Sequence, residues 1–255
     1  MWLIRWGEFC ILKILETFAL RKLVIAIDGP AASGKSTTAR LTAERLHYLH
    51  IDTGAMYRAM TLKVLERQVN PSNHDRVAEL ARTTSIRLMQ KGKRMQVLLD
   101  GRDVTDAIRD PAVTRAVSEV SSIPAVRELM VREQRLLGKS GAVVLDGRDI
   151  GTIVFPEADL KVFLVADVHE RARRRQKEMQ EQGYDARVED LERELLARDT
   201  FDSSRDVSPL RRAVDALLID TSNMTIDEQV SFIVEKARAL MRSENNDTMK
   251  NESDN

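Results

Sequence analysis

Cysteine is almost absent from this 255-residue chain, with Cys10 the single example. One cysteine excludes an internal disulfide and fits a reducing compartment, so a cytoplasmic protein is expected. Net charge is absent too, because Lys+Arg and Asp+Glu both total 40. No overall field therefore favours nucleic acid or an anionic membrane, although a local basic pocket stays open. The four histidines, His47, His50, His74 and His169, lack zinc-ligand spacing and read as surface or half-buried residues. No uncharged run is long enough for a signal sequence or a membrane span, since Arg5, Glu8, Lys13 and Glu16 break up the apolar N-terminus. Repeats are lacking as well. What remains is a chain 43% hydrophobic, enough for a real core in one large or two small domains.

The ends stand apart from the rest. Residues 1–21 hold both tryptophans and the cysteine, and apolar Leu3, Ile4, Ile11, Leu12, Leu15 and Phe18 allow an amphipathic helix. They form an N-terminal extension, read as an accessory helix or as residues from a misassigned upstream start codon in preference to a weak membrane or partner anchor. Residues 242–255 are polar, rich in Asn, Asp, Glu and Ser, and read as a disordered tail.

Between them, residues 29–36 read Gly-Pro-Ala-Ala-Ser-Gly-Lys-Ser. This fits the phosphate-binding loop G-x-x-x-x-G-K-[ST]. A β-branched run over 23–28 precedes it and a helical pattern over 37–46 follows, which is the strand-to-helix context the loop needs. The loop spans Gly29, Pro30, Ala31, Ala32, Ser33, Gly34, Lys35, Ser36 and Thr37. Gly29 and Gly34 let the backbone curl so that successive N–H groups face one concavity. The helix N-terminus adds partial positive charge. Lys35 can reach the β- and γ-phosphates, and the Ser36 hydroxyl can ligate Mg²⁺.

Downstream, short apolar strands over 48–52, 142–145, 161–165 and 216–219 alternate with helices ending near 67 and over 75–82, 113–121, 125–137, 169–182, 188–199 and 226–241. That alternation predicts an α/β fold with a mainly parallel sheet flanked by helices. Two strand-like runs within 85–99, around Lys91-Gly92-Lys93, read as a hairpin inserted between core elements, and 100–103 as a turn. Arginines gather beside turn residues at strand ends. Arg58 follows the second strand, and Arg148 lies in Asp146-Gly147-Arg148-Asp149 after the 142–145 strand. Ligands of open α/β sheets sit outside those carboxyl ends. Arg171, Arg173, Arg174 and Arg175 crowd a helix turn, and Arg198 and Arg205 come later.

These segments together resemble the bacterial cytidylate kinases, nucleoside monophosphate kinases of the P-loop superfamily. The similar stretches are 27–37, 52–58 (Asp-Thr-Gly-Ala-Met-Tyr-Arg), 146–156 and 198–205 (Arg-Asp-Thr-Phe-Asp-Ser-Ser-Arg), in the family's order. The resemblance implies a kinase domain over 22–241, with a mainly β monophosphate-binding insert over about 60–125 and a helical lid over about 168–206. It implies transfer of a phosphoryl group from ATP to CMP or dCMP, with Mg²⁺, as part of pyrimidine nucleotide supply. By the same likeness Thr53, Arg58 and Arg148 hold the acceptor phosphate, and Ser118, Arg127 and Asp149 read the base. Arg198, Asp202 and Arg205 contact the sugar and the transferring phosphates, and Arg171, Arg174 and Arg175 close a lid over ATP. Lys35, Arg148 and Arg198 are the expected catalytic group. Thr53 stands where the family often has serine, and the 1–21 extension lies outside the pattern.

The chemistry agrees. Guanidinium forks suit a bidentate phosphate. A carboxylate accepts from the N4 amino group of cytosine, whereas uracil presents an oxygen there. Asp28, Asp52 and Asp146 are all placed to order waters around Mg²⁺. A kinase for another small acceptor, such as adenylate or shikimate, is the neighbouring alternative. A P-loop switch protein would need an Asn-Lys-x-Asp motif, which is missing, and a nucleic-acid translocase a second motor domain. The expected partners are ATP and CMP or dCMP, without nucleic acid or integral membrane association, and the expected state is a monomer.

Overall fold

The structure, a computed structural model, describes residues 21–91, 94–181 and 183–253. The expectation for an N-terminal extension thus lies outside the described residues except at Arg21. A five-stranded sheet of order β2-β6-β1-β7-β8 forms the centre. Its strands are β1 (Val24–Asp28), β2 (Leu49–Asp52), β6 (Val143–Gly147), β7 (Leu160–Val165) and β8 (Leu217–Asp220), all parallel. β1 and β6 are continuous apolar runs because helices cover both faces. On one face Ile25, Ile27 and Leu164 pack against α1 (Lys35–Leu46) and the last helix, α8 (Ile226–Ser253). On the other, Ala26, Ile51 and Leu145 meet Ile150 and Val154.

A second apolar core lies away from this sheet. It joins α2 (Thr53–Glu66), α3 (His74–Arg82), α4 (Pro111–Val120) and α5 (Pro124–Gly138) to an antiparallel sheet of β3 (Ile86–Lys91), β4 (Arg94–Leu99) and β5 (Arg102–Asp103). The expected hairpin is present, and the expected turn over 100–103 adds the two-residue β5, with Leu98 opposite Asp103. A third cluster seats α6 (Val168–Glu181) and α7 (Val188–Ser204) on the phosphate loop, through Ala31, Ala172, Leu191 and Leu195.

Two boundaries differ from expectation in an informative way. α7 runs past Asp199 to Ser204, so Arg198 and Asp202 share one helix. α8 continues to Ser253, through most of the stretch expected to be disordered. Val230, Ile233, Val234, Ala237 and Met241 are buried, and a helix nucleated by that packed stretch propagates cheaply into polar sequence.

Candidate active site

The phosphate loop opens directly from β1. Gly29 sits at φ 152°, and a Cβ there would lie 2.2 Å from the Leu164 carbonyl oxygen. No other residue fits that approach. Gly34 is left-handed at φ 88° and stands just before α1. Lys35 is buried, and its ammonium donates to the Pro30 carbonyl at 2.8 Å across the loop. Burial pushes its pKa well down, and Arg148 and Arg198 push the same way against Asp146 and Asp202.

Strand β6 carries the chain from the sheet into this space. Its Asp146 accepts a hydrogen bond from the Ser36 hydroxyl and meets His50 Nε2 at 2.8 Å. Burial opposes the charge on Asp146, but His50, Ser36 and Lys35 outweigh it and hold the carboxyl below its ordinary value. His50 answers in kind. Its pKa is raised because Asp146 outweighs the burial that opposes a charged imidazole. The structure separates the three aspartates that the sequence left equal. Asp146 faces Ser36. Asp52 caps α2 through Ala55 N–H at 2.9 Å and pairs with Arg58 at 3.2 Å. Asp28 accepts from the backbone N–H groups of Ile150 and Gly151.

Beyond β6 the arginines converge. Arg148 Nε donates to Asp202 at 2.9 Å. Arg198 is pushed down to about 10 by burial, with Arg148 adding to the effect and Asp202 opposing it. Arg58 is near enough to act in the same direction. Arg205 donates to the Ser208 carbonyl at 2.6 Å and lies 3.8 Å from Asp202. Its pKa too is lowered by burial and by Arg127. Buried like charges are costly, and Arg198 Nε, Arg205 Nη2 and Arg127 Nε have no hydrogen-bond partner among the described residues. A largely buried cationic group with donors to spare can receive an anion.

At the far wall Arg127, 3% exposed, pairs with Asp149 and donates to the Ser121 carbonyl at 3.1 Å. It lies over the Tyr57 ring at 5.3 Å. Ser118 is half-buried one turn away on α4, where its carbonyl accepts from Ser121.

Four expected residues already hold partners within the fold. The Thr53 hydroxyl donates to the Asp146 carbonyl at 2.6 Å, so its one proton ties β6 to α2 instead of facing an open space. Arg171 is buried and donates to the Ala31 and Ala166 carbonyls and to Asp199. It braces the phosphate loop from behind, because α6 packs there. Arg174 grips Thr221, whose hydroxyl donates to the Ser33 carbonyl at 3.1 Å. Arg175 pairs with Glu178 along its own helix. His50 had no signal in the sequence, since its partner is 96 residues away.

A phosphate loop at the carboxyl edge of a parallel sheet, with a group of arginines gathered beside it, defines a P-loop phosphotransferase. The cytidylate kinase family profile matches residues 25–239. A cytidylate kinase from Desulforamulus reducens is 54% identical over 210 residues, 82% of this chain and 94% of that protein. The one from Limosilactobacillus reuteri is 50% identical, over 83% and 93% of the two chains. That from Bacillus subtilis is 48% identical, over 87% and 99%. The chain belongs to the cytidylate kinase family.

Proposed function

We propose that this protein transfers the γ-phosphoryl group of ATP to CMP or dCMP, giving ADP and CDP or dCDP. The observation that carries this is the buried arginine group beside the phosphate loop, with donors left over and the Arg127–Asp149 pair at its far wall. Phosphoryl transfer asks for positioning and charge neutralisation more than for covalent chemistry. The loop amides and Lys35 hold the β- and γ-phosphates. Arg58 and Arg148 fix the acceptor phosphate, whose oxygen is already ionised at neutral pH and needs no general base. Arg198, oriented on the helix that also holds Asp202, neutralises the group in transit. Asp202 and Arg205 border the sugar. Asp149 accepts from the cytosine amino group while Arg127 and Ser118 donate to its ring nitrogen and oxygen.

Ser36 and Asp146 form an all-oxygen pair of the kind Mg²⁺ prefers. Ser36 would hold the ion and Asp146 would order its waters. When bound, Mg²⁺ supplies charge neutralisation at the ATP oxygens. Thr53 and Arg171 support the site through backbone carbonyls, and Arg174 does the same through Thr221. Arg175 stays available to a closing lid. Among the described residues no helix is long and apolar enough to cross a membrane. The neutral charge balance gives no overall field toward nucleic acid.

Arg148→Ala tests the acceptor pocket. Turnover should fall by about two orders of magnitude or more, with ATP binding by calorimetry nearly intact. Unchanged turnover would remove Arg148 from the site.

A further inference from the structure

Asp28 is 4% exposed and ends β1, one residue before the phosphate loop. Its two carboxylate oxygens each accept one backbone N–H, from Ile150 at 2.9 Å and from Gly151 at 2.8 Å. Those amides open a single π-helical turn, Ile150–Val154, closed by Val154 N–H to the Asp149 carbonyl and Phe155 N–H to the Ile150 carbonyl. Such turns are rare and cluster at functional sites. This one begins immediately after Arg148 and Asp149. The fit is tight, since a Cβ on Gly151 would meet the Lys161 stem at 3.2 Å and Asp28 Oδ2 at 3.5 Å. Asp28 also sits opposite Gly147 in the β1–β6 register, so one carboxylate lies where the two loops leave neighbouring strands.

We infer that Asp28 is a positioning residue for the acceptor side, holding the Arg148–Asp149 segment in place through the Ile150 and Gly151 amides, and not a member of the Mg²⁺ shell. This rests on the acceptor-pocket assignment made above. The carboxylate gives one oxygen to each of the two amides of the turn. An ionised carboxylate satisfies two N–H donors at once. A protonated one keeps one good acceptor and points a donor at the other amide.

The charged groups that face Asp28 are Asp149 on the acceptor loop and Lys35 on α1, and Lys161 of β7 packs across Gly151. Burial raises the Asp28 pKa to about 7, against the two backbone hydrogen bonds, with Asp149 raising it further and Lys35 lowering it. The clamp is therefore tightest above neutral pH and loosens as pH falls through about 7.

The experiment compares wild type, Asp28→Asn and Arg148→Ala, all with ATP, Mg²⁺ and CMP. Asp28→Asn keeps one acceptor and sets an N–H against an N–H. The expected result is a rise of about tenfold to a hundredfold in KM for CMP, with KM for ATP unchanged. Preference for CMP over UMP should narrow in parallel, because Asp149 moves with the turn. KM for CMP in wild type should climb below neutral pH more steeply than in Asp28→Asn, and the difference cancels the ionisation of CMP itself. Equal KM values and equal pH profiles for the two proteins would overturn the clamp. If Arg148→Ala also leaves CMP kinetics unchanged, the acceptor pocket itself is wrong; if only Arg148→Ala acts, the clamp alone fails. Should Asp28→Asn not fold, amide NMR of the wild-type protein decides. The Ile150 and Gly151 resonances should shift together with one midpoint near neutrality, and resonances that do not titrate would refute the assignment.

Discussion

His50 shows how one side chain can be invisible in sequence yet matter at the site. Imidazoles on weak strands usually read as surface groups, and nothing local marks this one. In the fold it is half-buried and meets Asp146, the carboxylate that accepts from Ser36. Its raised pKa has a definite consequence for stability. Where the folded value exceeds the unfolded one, the folded state binds more protons. The contribution is fully present below the unfolded value of 6.5 and is lost as pH rises through the folded value. Thermal melts of the ligand-free protein should therefore show His50→Gln losing most stability at acidic pH, with the gap narrowing as pH rises. A constant gap from pH 5 to 9 would show that the ion pair does not form. Asp146 was legible only as one of three aspartates at strand carboxyl ends, where α/β sheets bind ligands, and its contact with Ser36 singles it out. The partners of Arg171 and Thr53 were not legible in the sequence, for one reason. Both reach backbone carbonyls, and a carbonyl partner leaves no trace in the residue alphabet.

At the scale of elements, the strand–loop–helix unit is the most legible part of the chain because its rules are local. Gly29 must approach the Leu164 carbonyl, and Gly34 must turn left-handed before α1. Gly29→Ala should lose ATP binding and destabilise the fold, read by calorimetry and thermal melts, since its Cβ would meet a carbonyl oxygen at 2.2 Å. Retention of full ATP affinity would mean that the loop tolerates another path. Helices α6 and α7 rest on the same loop. Leu195→Ala should cost about 2–5 kcal/mol and raise KM for ATP more than KM for CMP, because Leu195 packs with Ala31. An effect confined to CMP would contradict that seating. The π-helical turn after Asp149 was not legible. Residues 150–154 carry no unusual propensity, and the turn is fixed by a carboxylate 122 residues away. The length of α8 was missed for the opposite reason, since composition described the tail while packing upstream set its conformation.

Across the whole molecule, the proposed phosphate and base contacts are shared between two packed bodies. The parallel sheet and its helices carry the loop, and a second core of α2–α5 with the small antiparallel sheet presents Arg127. Asp149, extending from the main sheet, pairs with Arg127 and closes the gap. The order of elements, and hence this division, was readable from alternating strands and helices plus one hairpin out of pattern. The resemblance names Arg127 and Asp149 as base readers without pairing them; their ion pair is seen only in the fold. The most direct test of the central claim is the kcat/KM for a panel of nucleoside monophosphates, read by coupled ADP release in wild type and Asp149→Ala. Wild type should favour CMP and dCMP over UMP by several orders of magnitude, up to about 10⁴, and Asp149→Ala should erase most of that margin. A wild-type enzyme that uses UMP or AMP as well as CMP would contradict the account.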